Sequence, residues 1–175
     1  MRRINRRRLL SSLMAPLVVL VVVPALIVWL THSQRVRLPE GPWATAVAPI
    51  LGAGLIVLGL VLLVATIRLF NLHGDGTIMP WDPTRELVVK GIYRHVRNPM
   101  HSGVFLVLFG EGLMLRSAAI LIFAAAAVLL HFFYIPLSEE RGLEARFGEA
   151  YREYRQNVPR WIPRLTPWIP ENRGG

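Results

Sequence analysis

Four long apolar stretches constrain this chain more than any other feature. Residues 9–30, 43–70, 99–115 and 118–137 carry almost no charge, and the first includes the run LMAPLVVLVVVPALIVWL. About 20 apolar residues cross the ~30 Å hydrocarbon layer of a bilayer, a length the first, second and fourth stretches meet. The third, with about 17 residues and ~25 Å of helix, is short and contains Glu111, so it must be shielded by its neighbours or end in the interface. Backbone inside a bilayer has to bond itself, which makes four helices the economical reading. Composition agrees: 53% of the residues are hydrophobic while 18% are charged, so the charges are gathered between the apolar runs. The absence of cysteine excludes disulfides, thiolate nucleophiles and Cys-ligated metal.

The charges orient these helices. All but three of the 20 basic residues precede the first run, lie between the second and third with Arg68 at that edge, or follow the fourth; Arg35, Arg37 and Arg116 are the exceptions. By the positive-inside rule both termini and the middle loop face the cytoplasm. The net charge of +9 then reads as a topology and lipid-headgroup signal, and nucleic acid is not expected as a partner. The basic N-terminus before an apolar run has the outline of a signal peptide, but the run is too long and lacks an A-x-A site, so an uncleaved anchor is expected. Ala44, Ala48 and Gly52 form a small-xxx-small series that would let another helix approach closely. Pro16, Pro24 and Pro49 imply kinks. Trp29 and Trp43 sit where interface anchors belong.

Two segments on the cytoplasmic side carry the remaining information. The middle loop, residues 71–98, is too long for a connector, turn-rich in its first half, and offers Leu87, Val88 and Val89 as a short extended piece. After the fourth run, Leu143, Phe147, Tyr151, Tyr154 and Val158 fall on one face of a helix whose other face is mixed charge. Such a helix suits the headgroup plane. Glu139 and Glu140 stand where the fourth helix leaves the membrane; repulsion and desolvation mark them as ligand candidates, with pairing to Arg97 or Arg141 as the structural alternative. The tail VPRWIPRLTPWIP cannot be a regular helix, and Trp161 and Trp168 suggest an extended strip at the interface.

The piece GIYRHVRNPMHSG (residues 91–103), followed by EERGLEARFGEAYREY (139–154) and VPRWIP (158–163), resembles the isoprenylcysteine carboxyl methyltransferases and the related phospholipid methyltransferases. Those families share G-x-Y-x-x-x-R-H-P-x-Y-x-G and then E-E-x-x-L-x-x-x-F-G-x-x-Y-x-x-Y. The resemblance covers about residues 74–163 and divides the chain into two N-terminal helices, 1–70, and a methyltransferase-like core, 71–175. It implies an all-α integral membrane enzyme of the bacterial inner-membrane type, without a Rossmann domain. Its cytoplasm-facing S-adenosylmethionine site would be built by the loop and the C-terminal amphipathic helix. Carried over by position, Arg85, Glu86, Leu87, Val88, Tyr93, Asn98, Pro99, Met100, His101, Glu139 and Glu140 would bind the cofactor. Arg97 would clamp a carboxylate of cofactor or substrate. The implied acceptor is a lipophilic or membrane-associated carboxylate, amine or thiol.

Three positions depart from the pattern. Asn98 replaces a frequent His, His101 replaces a frequent Tyr, and Ile135 stands where eukaryotic prenylcysteine enzymes carry an arginine, which speaks against a prenylated cysteine as substrate. Two other functions compete. An NADPH-dependent enzyme akin to sterol reductases would need Arg94, Arg97 and Arg141 as a phosphate pocket, and a non-catalytic membrane scaffold would need no cofactor. Among single residues, Glu111 is expected to pair with Arg116. His131 is expected to be a hydrogen-bonded core histidine, since no second His has ligand spacing.

Overall fold

In the computed structural model, residues 14, 16–31, 38, 40–73 and 87–170 are described. The N-terminal arginines, residues 74–86 of the middle loop with Arg85 and Glu86, and Arg173 lie outside them. The described chain is helical and contains no strand: α1 (Val23–Thr31), α2 (Ala48–His73), α3 (Pro99–Met114), α4 (Ala118–Tyr134), α5 (Glu140–Phe147) and α6 (Glu149–Asn157).

Three wide π-type turns precede or join these helices, at Val18–Val22, Trp43–Val47 and Ile135–Glu139. Each has a proline within it or within two residues of its end: Pro24, Pro49 and Pro136. A proline cannot bond the carbonyl four residues back, and for Pro24 and Pro49 those carbonyls, of Leu20 and Thr45, lie inside the wide turns. With their turns included, the second and fourth runs form continuous helices of 28 residues (Trp43–Phe70) and 30 residues (Ala118–Phe147), long and apolar enough to cross a membrane. The third helix has 16 residues, about 24 Å.

Burial is inverted relative to a water-soluble bundle. Ile50, Val57 and Val61 on α2 and Ile122, Leu129 and Leu130 on α4 are exposed, whereas small residues and a few aliphatics fill the centre. Leu20, Leu63, Val107, Leu108 and Ala124 bring all four apolar segments to one core. An apolar exterior of this extent suits a hydrocarbon solvent.

α2 and α3 pack backbone to backbone. A Cβ added at Gly59 would lie 2.6 Å from the Gly103 carbonyl oxygen, and one at Gly52 would lie 2.6 Å from that of Gly110. The relation is reciprocal, with Gly103 facing Gly59 and Gly110 facing Gly52. The small series thus continues through Gly52, and Ala44 and Ala48 are buried with it. α3 returns into α4 through a tight corner. Ser117 caps α4 by accepting from the Ile120 amide at 3.3 Å, and Arg116 takes a positive φ of 53°. The Glu111 Oε2 atom is buried without a hydrogen-bond partner, so the expected pairing with Arg116 is not made through that oxygen.

The segment after α4 differs from the single amphipathic helix expected from its periodicity. Gly148, at φ 54°, ends α5 and starts α6, a conformation that side chains beyond glycine resist. The apolar face survives the break but is covered by the chain itself. Tyr151, Tyr154 and Val158 form a core with Leu87, Val89, Leu143, Phe147 and Trp168. Leu87–Val89 adopt no regular element. The proline-rich tail runs back along the Gly91–Arg94 turn, with the Arg164 and Trp168 amides donating to the carbonyls of His95 and Arg94 at 3.0 Å each. Its tryptophans turn inward, whereas Ile162, Leu165 and Ile169 are the exposed large apolar residues of the strip.

Candidate functional site

The motif segments converge where α3 begins and α4 ends. The short 3-10 turn Gly91–Arg94 delivers Tyr93 to a buried position, its ring edge-on to Phe70 of α2 with centroids 5.4 Å apart. The Tyr154 hydroxyl donates to the Tyr93 carbonyl at 2.7 Å, fixing α6 against this turn. Burial, then the neighbouring Tyr154 and Glu139, push the Tyr93 phenol far above its ordinary range, so it stays a protonated donor.

Pro99 opens α3 at its first position, where a missing N–H costs nothing, and this sets Asn98 as the cap residue. One turn on, His101 Nε2 lies 3.9 Å from Glu139 Oε2. The His101 ring is 5.0 Å from that of His131, and Phe105 lies 5.4 Å from His131 and 5.8 Å from Trp161. Two donors here, Asn98 Nδ2 and Trp161 Nε1, are buried and meet no acceptor. An unpaired buried N–H costs about 1–3 kcal/mol, so each of these donors calls for an acceptor that the described residues do not supply.

The adjacent glutamates have different surroundings. Glu139 has a side chain 37% exposed, while that of Glu140 is 5% exposed. Glu140 is met from both sides: Arg97 Nη1 bonds Oε1 at 2.6 Å, and Arg160 binds both oxygens at 2.8 Å. Arg97 also donates through Nε to the Val158 carbonyl and through its amide to the Pro159 carbonyl, at 2.8 and 2.9 Å. Tyr151 adds its hydroxyl at 3.4 Å from Arg97, and burial followed by Glu140 pushes that phenol up to about 12. The arrangement ties the tail to α3 and α5.

Of the positions singled out in the sequence, Tyr93, Asn98, His101 and Glu139 share this site. Arg97 and Glu140 meet each other, so the structural alternative describes both of them, with Arg160 as the partner that sequence reasoning missed. The carboxylate clamp assigned to Arg97, and the phosphate pocket that would have used it, both require an arginine that is already bonded. Pro99 is buried at the helix start, Met100 packs on the bundle core, Leu87 joins the α6 cluster and Val88 is buried. Arg85 and Glu86 lie outside the described residues. Trp161 and His131 also line the site; VPRWIP belongs to the motif, but nothing in its spacing assigns a role to the indole.

The sequence model of the phospholipid methyltransferase family matches residues 47–150. The chain is 38% identical over 79 residues to a protein-S-isoprenylcysteine O-methyltransferase of Schizosaccharomyces pombe, covering 44% of this chain and 33% of that protein. It is 39% identical over 71 residues to a methanethiol S-methyltransferase of Crocosphaera subtropica, covering 41% and 27%. A protein-S-isoprenylcysteine O-methyltransferase B of Arabidopsis thaliana is 39% identical over 80 residues, covering 45% and 40%. The chain thus spans no more than 40% of the length of these relatives.

Proposed function

The chain belongs to the phospholipid methyltransferase family, and from that premise we propose that it transfers a methyl group from S-adenosylmethionine to a lipophilic acceptor at a cytoplasm-facing membrane site. The relatives' names span two acceptor chemistries, O-methylation of a protein S-isoprenylcysteine and S-methylation of methanethiol. In this reading the four apolar segments all cross the bilayer, residues 71–175 form the working core, and the lipid bilayer is the partner.

The observation that carries the proposal is the pair of buried, unpaired donors, Asn98 Nδ2 and Trp161 Nε1, on segments that also hold His101 against Glu139 and Phe105 against the Trp161 indole. These groups fit the cofactor. A carboxylate accepts from ribose hydroxyls or an ammonium, amide and indole N–H groups serve adenine nitrogens or a carboxylate, and aromatic faces favour a cationic sulfonium. When bound, the cofactor supplies an electrophilic methyl on sulfur. The protein's part is then alignment and exclusion of water, which can account for several kcal/mol of the barrier. Tyr93, held by Tyr154 and Phe70, contributes a rigid wall, and the tail is bonded to His95 and Arg94 beside it.

Purified protein in detergent, given methyl-labelled S-adenosylmethionine and a bacterial membrane lipid extract, is expected to move label into the organic phase. Absence of both label transfer and cofactor binding would leave only the scaffold reading.

A further inference from the structure

The turn that carries Tyr93 is docked on the cytoplasmic end of α2 as well as on α6. Gly91 permits the close approach: at φ 55°, a Cβ added there would lie 3.0 Å from Leu69 Cδ1. The Tyr93 ring meets Phe70 edge-on at 5.4 Å, and its phenol hydrogen-bonds the hydroxyl of Thr66. Phe70 follows Thr66 by four residues, so the two lie one above the other on a single face of α2. Both partners in this bond are shut away from solvent, Thr66 at 0% exposure and Tyr93 at 7%.

The chemistry of the three groups fixes which one donates. Thr66 Oγ1 lies 2.7 Å from the Leu62 carbonyl oxygen, which only accepts, so the threonine donates there. Its lone pairs are what it offers Tyr93, and the phenol is the donor. A helical threonine commonly bonds the carbonyl four residues back and does nothing more. Here the same hydroxyl also receives a second chain segment. Tyr93 has one hydroxyl hydrogen, and that hydrogen is taken up inside the protein, so the donor the residue could offer a ligand is already engaged. Resting on the methyl-transfer reading above, in which the Tyr93 ring walls the cofactor site, we propose that Thr66 is a positioning residue of that site. It holds the phenol and thereby sets the ring, from a helix outside the motif segments.

Removing one partner and removing both have opposite consequences. Thr66→Val keeps the shape of the side chain but leaves a buried phenol without its acceptor, the costly arrangement for a polar group. That hydroxyl regains a partner only by moving, and the ring moves with it. The cofactor then binds the fraction of molecules whose ring is in place, and its apparent affinity falls by that fraction. Tyr93→Phe removes the group that needs the acceptor, while Thr66 keeps its bond to Leu62. A phenylalanine ring therefore stays in the slot against Phe70 whether residue 66 carries a hydroxyl or not.

The test titrates S-adenosylhomocysteine into wild type, Thr66→Val, Thr66→Ser, Tyr93→Phe and the double variant Thr66→Val with Tyr93→Phe, all in detergent, and records an unfolding curve for each. Thr66→Val should weaken binding by about tenfold, the scale of one lost buried hydrogen bond. Thr66→Ser, which keeps the hydroxyl, and Tyr93→Phe should bind close to wild type. Adding Tyr93→Phe to Thr66→Val should restore most of the affinity and raise the unfolding temperature above that of Thr66→Val alone. A Tyr93→Phe protein that binds weakly while Thr66→Val binds normally would assign the phenol to the ligand and overturn the proposal. So would a Thr66→Val protein that unfolds earlier yet keeps its affinity, because Thr66 would then be structural only. Additive losses in the double variant would show two unconnected groups. A wild type that binds no S-adenosylhomocysteine would instead remove the methyl-transfer reading, while the order of the unfolding curves still tests the bond between Thr66 and Tyr93.

Discussion

Replacing Glu140 with alanine should destabilise the cytoplasmic cap by about 3–5 kcal/mol, the cost of leaving buried opposite charges uncompensated. Two arginines would be stranded at once. Arg97 is 8% exposed and Arg160 26% exposed, and both take their carboxylate from this one residue. Because Arg97 also bonds the Val158 and Pro159 carbonyls, the loss should spread to the tail that carries Trp161. Thermal unfolding in detergent and limited proteolysis after α6 would register it. Glu139→Ala, whose side chain is more open, should leave the unfolding curve nearly unchanged. A double variant, Arg97→Met with Glu140→Leu, should recover part of the loss, since an apolar pair carries no desolvation penalty. Equal unfolding curves for wild type and Glu140→Ala would show that the ion cluster is not a structural clasp.

A second large effect is expected in the bundle. Gly59→Leu places a branched side chain where a Cβ alone would lie 2.6 Å from the Gly103 carbonyl and 2.7 Å from Val107 Cγ2. Backbone cannot yield as a flexible side chain can, so α2 and α3 must separate. Overpacking of this kind costs about 1–3 kcal/mol, or more where it cannot relax. Gly54 offers the control, because a Cβ there would meet nothing within 4 Å. Gly54→Leu should therefore fold normally while Gly59→Leu lowers the unfolding temperature and the yield of monodisperse protein. Similar behaviour of the two variants would contradict the close packing of these helices.

Much of the site is legible in the sequence itself. The pattern from Gly91 to Gly103 and the Glu139–Tyr154 pattern point to one locality, and the periodicity of Leu143, Phe147, Tyr151, Tyr154 and Val158 describes a real apolar face. What cannot be read there is which partner each side chain takes. Glu139 and Glu140 look alike in sequence, but successive residues of a helix point about 100° apart, so one meets two arginines and the other meets His101. Arg160 lies 20 residues from Glu140 across a glycine break, a separation that carries no periodic signal. Gly59 and Gly103 are in different runs, and only packing shows them to be opposite. The amphipathic face reads as a headgroup surface because its own cover, residues 87–89 and the tail, has no regular pattern. His131 reads as a core histidine, and its hydrogen bond to Ala127 is of that kind; the added information is its neighbour His101.

We propose that Tyr93, Asn98, His101 and Glu139 surround one cofactor, an arrangement open to direct test. It is tested most directly by calorimetric titration of S-adenosylhomocysteine into wild type, Glu139→Gln and Asn98→Ala, with Glu144→Gln as a distant control. Each of the first two substitutions should weaken binding by about tenfold or more, the loss of one charge-assisted or buried hydrogen bond, while the control binds like the wild type. Folded variants of Glu139 and Asn98 that retain wild-type affinity would place the cofactor elsewhere.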